Sequence, residues 1–480
     1  MRYLLLCLFV CVLYAGCSTD GSTNGTQGQK STRIDAESPD IAIEIDNGTP
    51  GTVYLIGTFT GQKYRADSTR LDASGKIRFK RKTPYRPGFY YLVFPDSKNL
   101  QLLLDRDQTM TIKANAIDLL NTTQIEGNID SKLLMDNIRY ENLFQAQLGP
   151  LNNRIKQTPE GSPELQSLGA QKEALNKQRK ADLELIFKEH PNAFFTSFKR
   201  AGQNPEIADV RNPDGSLNRA LQIYLYRTAF WDDVDFSDER LLYTPVISNK
   251  LKRYIEQLTP QLPDSINQAA KFLVDKVVDY PEYFKYIANH ITLAYEPTKT
   301  TLMDPEKVYV SMIQNYFTKE RAFWADSMTV FGLQKRAYEM SNSLTGSKGP
   351  NVEAKDPSGK TQSIYDIKSD YIIVYLFNPT CEHCMEQTPK LVQLYNSTSR
   401  KDIEVFSIAI DTNDAEWKNY IQKTKMNWIN VHDPTNASIY AKYYVDVTPE
   451  IYVLNPDRTI IAKNLKVNQI MEVINRDRGQ

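Results

Sequence analysis

The sequence predicts a multidomain chain: an N-terminal antiparallel β domain, a central α-helical domain and a C-terminal α/β domain. Three observations lead there. The length is 480 residues, and domains run to roughly 100–200 residues each. The apolar pattern changes twice, from short alternating runs with turn signals, to helical spacing, to alternating strand and helix. Cysteines stand only at Cys7, Cys11, Cys17, Cys381 and Cys384, so the long interval between Cys17 and Cys381 is no disulfide framework. At 41% hydrophobic and 11% aromatic, the chain can build real cores, which excludes global disorder. Lys and Arg number 58 and so do Asp and Glu. The basic excess of a nucleic-acid binder is missing, so no nucleic-acid partner is expected.

Residues 1–16 read as a lipoprotein signal peptide. Arg2 is basic, residues 4–13 are apolar, and Tyr14-Ala15-Gly16 leads into Cys17. The apolar run is shorter than the roughly 20 residues needed to span a bilayer. Small residues before a cysteine resemble a bacterial lipobox, which implies lipidation at Cys17 and loss of Cys7 and Cys11. Residues 17–37, rich in Gly, Ser and Thr, read as a flexible tether. The expectation is a cell-envelope protein facing the periplasm, held to the membrane by lipid.

Residues 38–127 form the β-rich domain. Ala42-Ile43-Glu44-Ile45 and Ile77-Arg78-Phe79 alternate, residues 89–94 are aromatic and β-rich, and residues 100–104 and 109–112 follow. Asn47-Gly48, Ser74-Gly75 and Pro87-Gly88 supply turns. No acid pair or histidine cluster lies here, so docking or spacing is its expected role.

Residues 130–342 read as helical. Ser162-Pro163-Glu164 caps and opens a long helix ending at His190-Pro191. Leu251, Tyr254, Ile255 and Leu258 should share a second helix, and Val308, Met312, Tyr316 and Phe317 a third. The dense aromatics read as core. The acidic run 231–236 reads as a solvated loop with Ser237 or Asp238 capping the next helix, because a hard-cation loop needs more oxygen ligands at fixed spacing. His190 and His290 lack partners at ligand spacing and read as structural. Residues 343–349 look like a linker.

Residues 349–480 alternate strand and helix: a strand at 372–377, a helix from Cys384, a strand at 404–410, a helix at 414–423, a hairpin turning at 455–458 and a closing helix at 468–476. Cys381-Glu382-His383-Cys384 follows the first strand and opens the first helix. There, free N–H groups and the positive helix end favour thiolate at Cys381. Cys384, one turn on, can resolve a mixed disulfide. His383 adds positive charge between them. Pro389 falls inside the helix, where a kink is expected. A cis peptide at Thr448-Pro449 would leave the Thr448 backbone free to pair with an extended substrate.

Strand, CxxC, helix with proline, strand, helix, Thr-Pro, hairpin and helix, in that order, resemble the thioredoxin fold. The version most similar is the membrane-tethered TlpA/ResA-like thiol-disulfide oxidoreductase. The resemblance covers about the last quarter of the chain. It implies Cys381 as nucleophile, Cys384 as resolving cysteine and Pro449 as the substrate-side cis-proline. It also implies substrates that are protein thiols and disulfides of the cell envelope, a membrane electron donor, and reductase direction over oxidase. The two preceding domains resemble the uncharacterised β-rich and helical modules of Bacteroidetes lipoproteins, the helical one through residues 227–232 and 238–242. The chain departs from the pattern in three places. Asn378-Pro379-Thr380 replaces the tryptophan-containing approach. Tyr375 stands where thioredoxin has a buried acid, six residues before the nucleophile. Gln387 stands where ResA-like proteins have a glutamate, leaving Glu386, on another helix face, as the modulating carboxylate.

Other readings are weaker. Zinc needs about four ligands, and His432 with His383 and one CxxC fits no structural class, so no metal is expected. A structural disulfide suits an oxidising compartment but needs neither proline. The Pro-x-x-x-Thr-x-x-Cys signature of peroxiredoxins is missing. The alternative from another class is a redox-sensing interaction protein whose N-terminal modules bind an envelope partner. No cofactor is expected, because the electrons travel in the cysteine pair.

Overall fold

The computed structural model describes residues 36–436 and 442–479. The predicted signal peptide, Cys17 and all but the end of the tether lie outside the described residues.

The predicted three-part layout holds. In the first part, alternation puts Ile41, Ile43 and Ile45 of strand Asp40–Asp46 inside, while Asp40 and Glu44 face outward and pair with lysine or arginine. Two four-stranded sheets face each other across one core. The first holds, in spatial order, Lys76–Lys80, Asp40–Asp46, Thr109–Asn115 and Gln124–Glu126. The second holds Gln62–Leu71, Gly51–Phe59, Gly88–Val93 and Asn99–Leu104. One pair departs from the antiparallel expectation: Asp40–Asp46 runs parallel to Thr109–Asn115. The intervening strands make that return possible, since parallel neighbours need a long crossover.

The central part is built of helices, interrupted by a non-helical stretch at 202–218 that holds an isolated bridge between Arg211 and Leu217. Asn128 and Ser162 cap the long helices Ile129–Gln157 and Pro163–Glu189, and Pro163 opens the second. Leu251, Tyr254, Ile255 and Leu258 are not on one regular helix. Pro245–Lys252 gives way to a wider turn, Arg253–Gln257, and Leu258 ends it. In the acidic run, Trp231, Val234 and Phe236 are buried while Asp232 and Asp233 face solvent, and Asp238 caps the turn Glu239–Tyr243. Among the described residues no group of three or more His, Cys, Asp or Glu could hold a metal ion. No described helix is long and apolar enough to cross a membrane. Phe89 and Leu103 of the β sandwich belong to the helical core, and Arg240 pairs with Asp105 of the sandwich at 2.8 Å. The first two parts are therefore packed together, not strung on a flexible connection.

The C-terminal part is a seven-stranded mixed sheet. Its spatial order is Thr361–Ser363, Glu353–Lys355, Ile429–His432, Ile403–Ala409, Tyr371–Phe377, Glu450–Leu454, Ile460–Ala462. The central strand Tyr371–Phe377 is buried at every residue, as expected for a strand covered on both faces. It runs parallel to Ile403–Ala409 and antiparallel to Glu450–Leu454. Residues 343–349 are not a free linker. Gly346 and Gly349 donate backbone N–H to Ile460 and Arg458, both at 2.8 Å, and Ser343 is fully buried. A side chain at Gly349 would come within 2.6 Å of Leu454 Cδ2, so only glycine lets the segment lie this close.

Candidate functional site

The central strand ends at Phe377 and the chain turns through Asn378-Pro379-Thr380. Asn378 Oδ1 accepts from Thr380 N and Oγ1, both at 2.7 Å, and its Nδ2 donates to the Asp411 carbonyl at 3.1 Å. This side-chain turn braces the entry to the helix Glu382–Asn396, with Cys381 at its N-cap in extended conformation. The Cys381 carbonyl accepts the first helical bond, from Met385 N at 3.0 Å. The helix runs on through Pro389.

Both cysteines are free thiols; Cys381 is partly exposed and Cys384 fully buried. Burial pulls the Cys381 thiol up, but it is outweighed. The Thr448 side chain, the Cys384 backbone and thiol, and the His383 backbone, all within hydrogen-bonding reach of its sulfur, hold it below the ordinary thiol value. Burial pushes Cys384 the other way, to about 12, and the neighbouring Cys381 sulfur adds to the rise. One sulfur is set up to ionise and the other to keep its proton.

The Thr448-Pro449 peptide is cis. It brings the Thr448 carbonyl to 3.1 Å from Cys381 Sγ, which donates to it. Val447 and Met385, on either side, are about half exposed, at 53% and 48%. Cys381, Cys384, Thr448 and Pro449 thus meet at one end of the sheet. His383 is exposed on the first turn and enters the pair's surroundings through its backbone N–H. Glu386 is not brought to the sulfurs. Its side chain is exposed and paired with Lys390 Nζ at 2.6 Å, four residues on along the same face. Gln387 Oε1 accepts from Val467 N at 3.2 Å and so braces the closing helix region.

Beneath the pair lies a hydroxyl chain that sequence reading missed. Tyr375 Oη and Thr388 Oγ1 are 2.8 Å apart, and Thr388 Oγ1 and Tyr420 Oη 2.9 Å. All three residues are buried. Thr388 stands four residues after Cys384, on the same helix face, and that spacing was the available signal. Tyr420 comes from the helix Asp414–Thr424, and nothing in its local sequence announces it. His432 is spoken for elsewhere: it packs on Trp417, and its Nε2 lies 3.1 Å from the Thr412 carbonyl.

Residues 369–460 match the family model described as thioredoxin-like, and residues 40–134 match that of a domain of unknown function (DUF4369). No curated protein matches the chain. Among solved structures, a thioredoxin-like protein from Bacteroides caccae is 20% identical. The match covers 57% of this chain and 99% of that one, with TM-score 0.43. The thioredoxin domain of a thiol-disulfide oxidoreductase from Bacteroides vulgatus is 25% identical over 28% of this chain and 96% of its own, TM-score 0.26. A domain of a possible thiol-disulfide isomerase from Cytophaga hutchinsonii is 29% identical over 28% and 94%, TM-score 0.27.

Proposed function

We propose that this chain, an oxidoreductase by its thioredoxin-like C-terminal domain, exchanges protein disulfides through Cys381 and Cys384. The observation that carries the reading is geometric: Cys381 caps the helix beside the cis Thr448-Pro449 peptide, with Cys384 buried one turn behind it, a setting that favours thiolate at the first sulfur and thiol at the second. Cys381 thiolate attacks one sulfur of a substrate disulfide. A mixed disulfide forms and the first substrate thiolate leaves. Cys384 then gives up its proton and attacks the Cys381 sulfur. The Cys381–Cys384 disulfide forms and the second substrate thiolate leaves. Two electrons pass from the pair to the substrate, and two protons are bound by its thiols. The Thr448 backbone holds the incoming segment, and Val447 and Met385 offer it apolar contact.

In the direction favoured here the chain is a reductant, recharged by a membrane electron donor. It acts on envelope proteins while anchored through lipid on Cys17. The resemblance in residues 369–460 and the lipobox-like sequence support this reading. The test is a trap: Cys384→Ser leaves the mixed disulfide unresolved. Several client proteins captured on Cys381 support the general exchange reading. One fixed partner favours the redox-sensing alternative, and no adduct together with no disulfide-reductase activity refutes both. A reduction potential near thioredoxin's roughly −270 mV supports the reductase direction, and one near DsbA's about −120 mV overturns it.

A further inference from the structure

Arg336, on the helix Ser327–Ser341 of the central domain, reaches out of that domain into the loop that carries Thr448. Its guanidinium stands over the Tyr309 ring at 5.3 Å and donates to Glu296 Oε1 at 3.0 Å, both within the helical domain. The rest of the fork crosses over. Nε donates to Tyr444 Oη at 3.1 Å and Nη2 to Asp446 Oδ2 at 3.0 Å. The Tyr444 hydroxyl in turn donates to Asp446 Oδ1 at 2.7 Å, which closes the contact into a ring. Two residues beyond Asp446 is Thr448, whose carbonyl meets Cys381 Sγ.

The Tyr444 backbone is already held from the other side. Its N–H donates to Ser343 Oγ at 3.1 Å, and its carbonyl accepts from Tyr452 Oη at 2.6 Å. Arg336 is the part of this clamp that belongs to the helical domain and carries charge. Charge-assisted bonds from a planar fork fix direction as well as distance. A backbone that must pair with an extended substrate gains from being held in place beforehand, because the ordering cost is then not met at binding.

We propose that Arg336 is a positioning residue, through which the helical domain holds the 444–448 loop in the conformation that an extended polypeptide substrate pairs with. The inference rests on the exchange reading above and gives the central domain a part in substrate selection. A small disulfide that makes no backbone pairing gains little from the clamp.

The experiment uses the full chain, reduced, and follows oxidation of the Cys381–Cys384 pair in single turnovers. The two oxidants are an unstructured peptide with one internal disulfide and bis(2-hydroxyethyl) disulfide. The expected result is that Arg336→Met lowers the ratio of peptide rate to small-disulfide rate by about tenfold, the scale of one lost charge-assisted bond, and that Arg336→Lys recovers part of it. A folded Arg336→Met chain whose ratio is unchanged, or whose two rates fall in proportion, overturns the assignment. Should that variant fail to fold, Asp446→Asn removes the same ion pair from the loop side. The same fall in ratio is expected, and an unchanged ratio overturns the assignment. A wild-type chain that reacts with neither oxidant overturns the exchange reading itself, and this inference with it.

Discussion

The two sulfurs differ enough for their difference to be measured one at a time. Cys381→Ser and Cys384→Ser each leave a single thiol in the described part of the chain. Cys384 is pushed from an ordinary value of 9.0 to about 12, first by burial. At pH 7 that leaves about one part in 10⁵ as thiolate, roughly a thousandfold below an ordinary thiol, because each pH unit is a factor of about ten. The serine at position 381 removes the neighbouring sulfur but not the burial, so most of the difference should survive. Cys381 sits below the ordinary value, held there by donors around its sulfur. The assay is iodoacetamide trapping from pH 5 to pH 11, read by mass spectrometry. Cys381 should alkylate faster than an unfolded cysteine at pH 7 and half-titrate at a lower pH than that cysteine does. Cys384 should alkylate at least about a hundredfold slower than an unfolded cysteine at pH 7 and keep rising past pH 10. In strong denaturant the two should react alike. A Cys384 that plateaus with or before Cys381 would refute the argument. The same shift has a sign for stability. The folded value lies above the unfolded one, so this contribution is whole below about pH 9 and is lost as the pH rises toward 12.

Thr388→Val should lower unfolding stability by about 2–4 kcal/mol in urea titrations, because the Tyr375 and Tyr420 hydroxyls both lose their bridging partner in a buried site. Thr388→Ser should recover most of it. Glu450, beside the cis-proline, is buried with Lys463, Glu306 and Asp304 around it, and burial pushes its carboxyl up to about 8. Its folded value lies above the unfolded one, so stability should fall as the pH rises from about 4.5 to 8; Glu450→Gln should flatten that slope in urea titrations at stepped pH. If the anchor reading holds, Cys17→Ser should move the chain from the membrane fraction to the soluble fraction on cell fractionation, with the exchange activity intact.

What the sequence made legible was whatever is written locally. The CxxC at a strand-to-helix junction, Thr448-Pro449 and the order of elements around them need no tertiary knowledge, and those residues meet at one end of the sheet. Three things were not legible, each for a physical reason. The hairpin of Gly51–Phe59 and Gln62–Leu71 turns at Thr60-Gly61, both at positive φ, but Gln62–Leu71 is too polar to read as a strand, so that single glycine signal stands alone. The parallel return of Thr109–Asn115 beside Asp40–Asp46 is a long-range event with no local signature. Residues 343–349 carry linker chemistry, Gly, Ser and Thr. Here the small side chains serve close packing against Leu454 and Tyr443 rather than freedom. Composition reports what a segment can do, and its neighbours decide what it does.

The same limit applies to Tyr375. Its position against the cysteines was readable, and its consequence was not. A carboxylate there could take the Cys384 proton; a tyrosine whose own hydroxyl is held above its ordinary value by burial, and bonded to Thr388, cannot. Glu386 does not fill the gap, because it is exposed and paired with Lys390. Within the proposed cycle, the group best placed to take the proton is then the substrate. The first thiolate expelled from the mixed disulfide leaves beside the pair, and it is more basic than any neutral hydroxyl below it. Resolution by Cys384 would thus be coupled to the substrate's own leaving sulfur, and it would run fastest while that thiolate is still held against the Thr448 loop. A clamp on that loop and a missing base beneath the pair are, on this argument, two sides of one arrangement. In the proposed cycle the second thiol keeps its proton until a bound substrate supplies the acceptor.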